Sequence, residues 1–205
     1  MFADRADAAR KLAGALARFR GRSPLVLGIP RGGVPMARAI ADELQGELDV
    51  VLVRKLRAPA NPEYAIGAVD ESGWSFLTPE AAWVRPSAEY LEGEKRAQLD
   101  VIRERRRTYT ALRPAMDPKG RTVIVVDDGL ATGSTMMAAL HAVKAKQPAE
   151  LVCAVPVAPP EAAEKIRAAC DELVCLEMPR DFAAVGQFYR SFPQTTDQEV
   201  TAALA

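Results

Sequence analysis

The segment that most constrains the fold of this chain runs from residue 123 to residue 146. Four β-branched residues, Val123 to Val126, form an apolar run typical of a strand that is buried on both faces of a parallel sheet. Two carboxylates follow directly, Asp127 and Asp128, and a turn rich in hydroxyl groups leads into a helical pattern from Met136 to Lys146. This order predicts one strand–helix unit of an α/β fold, with the acid pair at the carboxyl end of the strand.

The turn after the acid pair has the composition of a phosphate site. Backbone N–H groups at the start of a helix favour an anion, and Thr132, Ser134 and Thr135 add hydroxyl donors at the same place. The two carboxylates can accept hydrogen bonds from vicinal hydroxyls of a sugar. Helix or turn capping would explain one Asp or one Thr, but not two adjacent acids with three hydroxyls. The segment therefore predicts a site for ribose 5-phosphate.

Further strand and helix patterns alternate along the 205 residues. Strands are predicted at Leu25–Ile29, Asp49–Val53, Glu150–Val155 and Glu172–Leu176, and helices at 3–19, Val34–Leu44 and Pro160–Ala169. They predict an α/β fold in one domain over residues 1–205, a Rossmann-like open parallel sheet with helices on both faces. An insertion at 70–115 carries a long charged helix from Ser87 to Leu112, after a Pro-rich loop at Ala58–Pro62 and a hairpin around Ser72 and Gly73. Residues 179–205 form an aromatic loop and a short final helix.

A second loop with the features of an anion site follows the first strand, at Pro30-Arg31-Gly32-Gly33. The two glycines permit close approach of a ligand, and Arg31 can contact phosphate oxygens in a bidentate manner. A plain strand–turn–helix corner remains the alternative. The second strand leads into Arg54, Lys55 and Arg57, which would either neutralise a pyrophosphate or form a solvated strand end; both interpretations stay open.

Residues 123–135 resemble the phosphoribosyl-pyrophosphate (PRPP) signature of the type I phosphoribosyltransferases, and Arg31-Gly32-Gly33 resembles their pyrophosphate loop. The resemblance implies transfer of ribose 5-phosphate from PRPP to a nitrogenous base, with Mg²⁺ held mostly through water and substrate at Asp127 and Asp128. Catalysis would depend on Asp127, Asp128, Arg31 and Lys55. PRPP would contact Asp127, Asp128, Gly129, Leu130, Ala131, Thr132, Gly133, Ser134, Thr135, Arg31, Gly32 and Gly33.

The resemblance also bears on the acceptor base. Family members place a mobile loop where this chain has the 70–115 insertion, which implies that one of its cations reaches the pyrophosphate, in its own or a neighbouring subunit. The 179–205 segment would form a hood in which Phe182, Phe188 and Tyr189 bind the base; they would otherwise pin the tail to the core. Hypoxanthine-guanine enzymes usually carry Asp where this chain has Ala131, which argues against a 6-oxopurine acceptor. The segment Asn61–Val69 resembles a little-characterised subgroup of the family and suggests that Glu63 and Tyr64 approach the site.

Composition excludes several classes of function. The formal net charge is zero, which argues against nucleic-acid binding, and no apolar run approaches the ~20 residues of a membrane span. The three cysteines and the lack of a secretory pattern at the start predict reduced thiols in a cytoplasmic protein. The resemblance implies a homodimer. The alternative to an enzyme is a regulatory protein that binds PRPP without turnover, although no helix-turn-helix pattern precedes the core.

Overall fold

The structure is a computed structural model that describes residues 1–111 and 115–205. The predicted helix end at Leu112 and the side chain of Glu63 lie outside the described part. Five parallel strands form the central sheet in the order β2-β1-β6-β7-β8. Their bounds are β1 Leu25–Gly28, β2 Glu47–Val50, β6 Thr122–Val126, β7 Glu150–Val157 and β8 Glu172–Glu177. The predicted parallel sheet is confirmed.

Helices cover both faces of this sheet. The helices that do so are α1 Arg5–Ala15, α2 Gly33–Leu44, α5 Ser134–Lys144 and α6 Pro160–Arg167, whereas α3 Ala81–Val84 and α4 Ala88–Thr110 pack mainly on a second sheet and α7 Asp197–Leu204 packs mainly on α2. Alternate strand residues enter two separate cores: Val26 and Ile124 pack with α1 and α2, whereas Val123 and Val125 pack with α5 and α6. The side chains of Asp4, Ser87 and Thr196 cap the N-termini of α1, α4 and α7. No helix within the described ranges has the length and apolar character needed to cross a membrane.

A second, antiparallel sheet replaces part of the region predicted as loop. Its strands are β3 Val53–Ala58, β4 Asn61–Asp70 and β5 Ser75–Leu77. The predicted strand Asp49–Val53 was wrong at its end, because β2 stops at Val50 and Val53 already belongs to the second sheet. The Pro-rich stretch is a two-residue turn at Pro59 and Ala60. Pro62 has no backbone N–H to donate. The second sheet tolerates this because, among the described residues, β5 pairs with Gly67–Val69 of β4 and does not extend to Pro62, so β4 has one neighbouring strand there.

The hairpin predicted around Ser72 and Gly73 is confirmed as the β4–β5 turn. Asp70 closes it, since its Oδ1 accepts hydrogen bonds from the backbone N–H of Ser72 at 2.8 Å and of Trp74 at 3.1 Å. The Trp74 ring then stacks on the His141 ring of α5 with centroids 3.5 Å apart. This contact attaches the second sheet to the helix that begins at the predicted phosphate loop.

Candidate functional site

The two predicted anion loops lie side by side at the carboxyl edge of the central sheet. Because β1 pairs in parallel register with β6, Gly28 lies opposite Val126 and both strands end together. A Cβ atom at Gly32 would lie 1.9 Å from Asp128 Oδ2, and one at Gly33 would lie 2.5 Å from the carbonyl oxygen of Val126. The contact between the loops therefore requires glycine at both positions, and the Pro30–Arg31 peptide bond beside them is cis.

Asp128 is held by residues from both the early and the late part of the chain. Its Oδ2 accepts hydrogen bonds from Arg5 Nε at 2.8 Å and pairs with Nη2 at 2.7 Å, in a contact whose side chains are 15% and 17% exposed. The Arg5 guanidinium also donates to the carbonyl of Pro193 at 2.6 Å and lies 3.8 Å over the Phe192 ring. Tyr189 donates its hydroxyl to the backbone carbonyl of Asp128 at 2.7 Å. We call Arg5, Tyr189, Phe192 and Pro193 the Asp128 clamp.

Asp127 borders a cavity and, among the described residues, forms no ion pair. Its Oδ1 accepts the backbone N–H of Asp128 at 2.9 Å, and its side chain lines a cavity of about 190 Å³, the phosphate cavity. Burial, and then the negative charge of Asp128, raise the pKa of Asp127 well above its usual value, and Arg5 and Lys55 offset only part of this. Burial also raises the pKa of Asp128, but Arg5 opposes the shift directly. Two adjacent carboxylates thus have different electrostatic surroundings.

The predicted phosphate loop surrounds the rest of this cavity. Its other lining residues are Gly129, Leu130, Ala131, Thr132, Gly133, Ser134, Thr135, Met136, Lys55 and Val185. Gly129 and Gly133 have φ values of +153° and +78°, which side-chain-bearing residues rarely adopt. The Thr132 and Ser134 hydroxyl oxygens lie 3.1 Å apart, so both can reach one anion. The Leu130 side chain is buried and its N–H donates to the carbonyl of Val157, so it supports the loop from below.

A second cavity, of about 300 Å³, adjoins the first at Lys55 and Thr135. We call it the basic cavity, since the described residues of its walls include four cations and no carboxylate. They are Arg54, Lys55, Arg57 and Arg105, together with Pro30, Val53, Pro62, Ala65 and Thr135. Arg57 pairs with Glu94 at 2.8 Å. In the described part of the chain, neither Lys55 nor Arg105 forms an ion pair, and burial and the charges of Arg105 and Arg57 lower the pKa of Arg54. The site is strongly electropositive here.

The guanidinium of Arg31 points to the neighbouring α7. Its Nη1 lies 3.9 Å from Asp197 Oδ2, and its side chain lines neither the phosphate cavity nor the basic cavity. The loop as a whole still borders the basic cavity through Pro30. Among the described residues of the predicted insertion, Arg105 on α4 is the cation that lines this wall.

The aromatic tail residues predicted to bind a base make their contacts within the protein. The Phe182 and Phe188 rings stack with centroids 5.2 Å apart, and both pack on the central core. Tyr189 is buried and is bonded to Asp128. Val185, between them in sequence, lines the phosphate cavity. These contacts match the alternative in which the aromatics pin the tail, and base binding stays a prediction.

Sequence reasoning missed Arg5. It belongs to an amphipathic helix in which charged residues are common, and no motif surrounds it. Its role depends on Phe192 and Pro193, almost 190 residues later in the chain, so only the fold reveals it. Arg105 lies within a run of three arginines, and helix phase alone separates it from its exposed neighbour Arg107.

Comparison with known proteins places the chain among phosphoribosyl transferase sequences. The family model described as "Phosphoribosyl transferase domain" matches residues 3–192. Two curated proteins of Mycobacterium tuberculosis, provisionally named phosphoribosyl transferases, are 42% identical over all 205 residues. The chain spans about half the length of these curated relatives, 46% in each case.

Solved structures share the fold of this chain. A crystal structure of a protein from Thermus thermophilus is 50% identical, with a TM-score of 0.83, and the match covers 100% of this chain and 97% of that one. A hypoxanthine-guanine phosphoribosyltransferase from Bacillus anthracis is 14% identical, with a TM-score of 0.50 and coverage of 93% and 91%. At that level of identity the second likeness concerns the fold alone.

Proposed function

The chain belongs to the phosphoribosyl transferase domain family, and from this premise we propose that it transfers ribose 5-phosphate from PRPP to a nitrogenous base and releases pyrophosphate. The observation that carries the proposal is the junction of three differently charged elements at one sheet edge. The phosphate loop and Asp127 line one cavity, and the basic cavity adjoins it at Lys55 and Thr135, so groups suited to a phosphate, to ribose hydroxyls and to pyrophosphate lie next to one another.

In this proposal the loop from Ala131 to Thr135 holds the 5-phosphate. Its hydroxyls and the backbone N–H groups at the start of α5 supply donors, and the partial positive charge of the helix end favours the phosphate dianion. Asp127, which faces the cavity, accepts the ribose hydroxyls. Asp128 contributes through its remaining carboxylate oxygen, because Arg5 holds the other oxygen.

The pyrophosphate group then occupies the basic cavity, bounded by Pro30 of the second anion loop and by Lys55. We assign Arg105 as the cation that the 70–115 segment supplies, since it lines this cavity whereas Arg107 is exposed. Arg54 adds charge beside it. Negative charge grows on the pyrophosphate as its bond to the anomeric carbon breaks, so fixed cations at this wall stabilise the transition state more than the bound substrate.

The donor set at the acid pair fits a magnesium ion. Within residues 1–111 and 115–205, no group of three or more His, Cys, Asp or Glu side chains forms a metal cage. Mg²⁺ is commonly bound by one or two carboxylates together with water and substrate phosphates. Asp127 could supply one such carboxylate. When bound, the ion would neutralise pyrophosphate charge and orient the donor.

The reaction would break the bond from the anomeric carbon to pyrophosphate oxygen and form one to nitrogen. The leaving group departs with the electron pair, and the base nitrogen supplies the new pair. Positive charge develops on the sugar, beside the Asp127 carboxylate. The chain needs no covalent nucleophile for this, because positioning and electrostatics lower the barrier.

The test is pyrophosphate release from PRPP and Mg²⁺ with a panel of purine, pyrimidine and related acceptors. We expect release that depends on one acceptor class and is lost in an Asp127→Asn/Asp128→Asn double variant. Tight PRPP binding without release on any acceptor would instead identify the regulatory alternative. Absence of PRPP binding would refute both.

A further inference from the structure

A third cavity opens on the far side of the phosphate loop, between the second sheet and α6. We call it the hairpin cavity; its volume is about 360 Å³, larger than that of the phosphate cavity or the basic cavity. It shares Ala131, Thr132, Gly133 and Ser134 with the phosphate cavity but none of the acid pair. The two cavities therefore meet at the phosphate end of the site, away from the anomeric carbon.

The walls of the hairpin cavity are suited to a planar ring. Phe76 and Tyr64 from the second sheet lie on one side, and Met137 of α5 contributes a polarisable thioether. Tyr64 is 41% exposed and Leu77 is 45% exposed, so two of the few exposed large apolar side chains of the described residues line this one cavity. An aromatic wall left open to solvent beside a phosphate loop is typical of sites that stack a nucleobase.

Charged groups complete the cavity. Lys165 of α6 lines it, as do the carboxylates Glu80 and Glu161. A hydrogen bond from its own backbone, and then one from the Thr78 side chain, lower the pKa of Glu80, and the charge of Lys165 adds a smaller contribution. A lysine can neutralise a second phosphate, and carboxylates can accept hydrogen bonds from sugar hydroxyls or an exocyclic amine.

We propose that the hairpin cavity binds a nucleoside joined through a second phosphate to the 5-phosphate on the loop, so that this chain takes ligands of the dinucleotide class. A simple phosphate monoester ends at the loop and leaves the hairpin cavity empty. A ligand extended beyond that phosphate places its ring against Phe76 and Tyr64 and its second phosphate near Lys165. The inference rests on the proposed function for the location of the first phosphate and of the ribose.

The experiment compares two probes that share one end, ribose 5-phosphate and ADP-ribose. ADP-ribose carries the same ribose 5-phosphate, extended at its phosphate by adenosine monophosphate. Calorimetry on the wild-type chain should give at least tenfold tighter binding of ADP-ribose. Tyr64→Ala and Phe76→Ala should each reduce that advantage about tenfold, the effect of one base–aromatic stack, and leave ribose 5-phosphate affinity unchanged.

Two controls and the choice of a second wall variant allow the result to be interpreted. Trp83→Ala removes an aromatic ring that is 87% exposed and outside the cavity, and it should change neither affinity. Tyr64→Ala alters an exposed side chain, so it tests the wall even if Phe76→Ala unfolds the chain. A thermal melt of each variant checks folding.

Equal affinity for the two probes would overturn the inference while leaving the proposed function intact. So would an advantage that survives both wall variants but disappears in Arg105→Ala, because the second phosphate would then lie in the basic cavity. If neither probe nor PRPP binds, the proposed function fails as well.

Discussion

The two sides of the acid pair differ in how their charges are matched. On the tail side, Asp128 is bound by Arg5, and the Asp128 clamp buries this contact. On the cavity side, within the described residues, Asp127 forms no ion pair, and neither do Lys55 and Arg105 of the basic cavity. Charges that the fold has already matched hold the site in shape, whereas unmatched charges remain for a ligand.

The sharpest way to break this comparison is to neutralise each acid separately. Asp127→Asn and Asp128→Asn should both reduce transfer at least about 100-fold, since each removes a charge or contact at the reacting sugar. Their stabilities should change in opposite directions at pH 8. Asp127→Asn removes a half-buried charge that has no ion-pair partner among the described residues and should raise Tm, whereas Asp128→Asn leaves the Arg5 cation without its partner and should lower it.

The gain from Asp127→Asn should also depend on pH. The folded-state pKa of Asp127 is raised, so wild-type stability is lost as pH rises through that pKa, and the Asn variant does not share the loss. Melting curves at pH 8 and pH 5 should show the difference in Tm shrinking at the lower pH. An equal gain in Tm for Asp127→Asn at pH 8 and pH 5 would contradict the different roles of the two acids. So would Tm changes of the same sign in Asp127→Asn and Asp128→Asn.

Removal of the clamp's cation should produce the next largest effect. Arg5→Met leaves Asp128 buried without a partner and should cost about 3 kcal/mol of unfolding free energy. For a domain of this size that lowers Tm by roughly 6–12 °C. The matched control is Arg10→Met on the same helix, because Arg10 is 72% exposed and its pairing with Asp7 at 3.7 Å is long. A similar fall in Tm in Arg5→Met and Arg10→Met would show that the Asp128 clamp contributes no more to stability than an exposed ion pair does.

On the cavity side, substitution of a cation should affect binding and not stability. Arg105→Ala should weaken PRPP affinity about tenfold or more, since a charge-assisted hydrogen bond contributes about 1.5–3 kcal/mol. Its Tm should change little. Arg107→Ala, two residues along α4 and with a side chain 76% exposed, should leave both quantities unchanged. A loss of stability in Arg105→Ala without a loss of affinity would assign it to packing.

The smallest effect expected is that of Tyr189→Phe. The variant loses only the hydrogen bond to the Asp128 carbonyl, worth about 1 kcal/mol, and Tm should fall by roughly 2–4 °C. A much larger fall, with loss of PRPP binding, would indicate that Tyr189 contacts substrate, as the hood interpretation predicts.

The central parallel sheet could be predicted because the sequence patterns that indicate its strands and loops are local. Apolar runs such as Val123–Val126 are buried on both faces, and the turns that follow them carry distinctive residues. Even the helix that starts at the phosphate loop was placed within two residues, at Ser134–Lys144 against a predicted Met136–Lys146. Parallel pairing of β1 with β6 then brings the two loops together without further information.

The second sheet and the clamp were less accessible to sequence reasoning. Strand β3 carries a cation on each side of the buried Leu56, and the prolines around the turn that follows β3 suggested a loop. The burial of β3 depends on its packing against α4. Glu94 of α4 is buried and accepts hydrogen bonds from the side chains of Arg57 and Gln98. The selection of Arg105 from the arginine run, like the selection of Arg5 from the first helix, depends on long-range packing that no local pattern contains.

The closure of the early chain onto the late chain has a consequence for biosynthesis. Phe2 bridges to Tyr189, and the backbone of residues 190 and 191 donates to the carbonyls of Phe2 and Ala3. Arg5 emerges from the ribosome early, but its partners Phe192 and Pro193 emerge after the whole central sheet has been made. A nascent chain could therefore form the phosphate loop first and fix Asp128 last, so the binding site would become complete only as the final part of this domain leaves the exit tunnel.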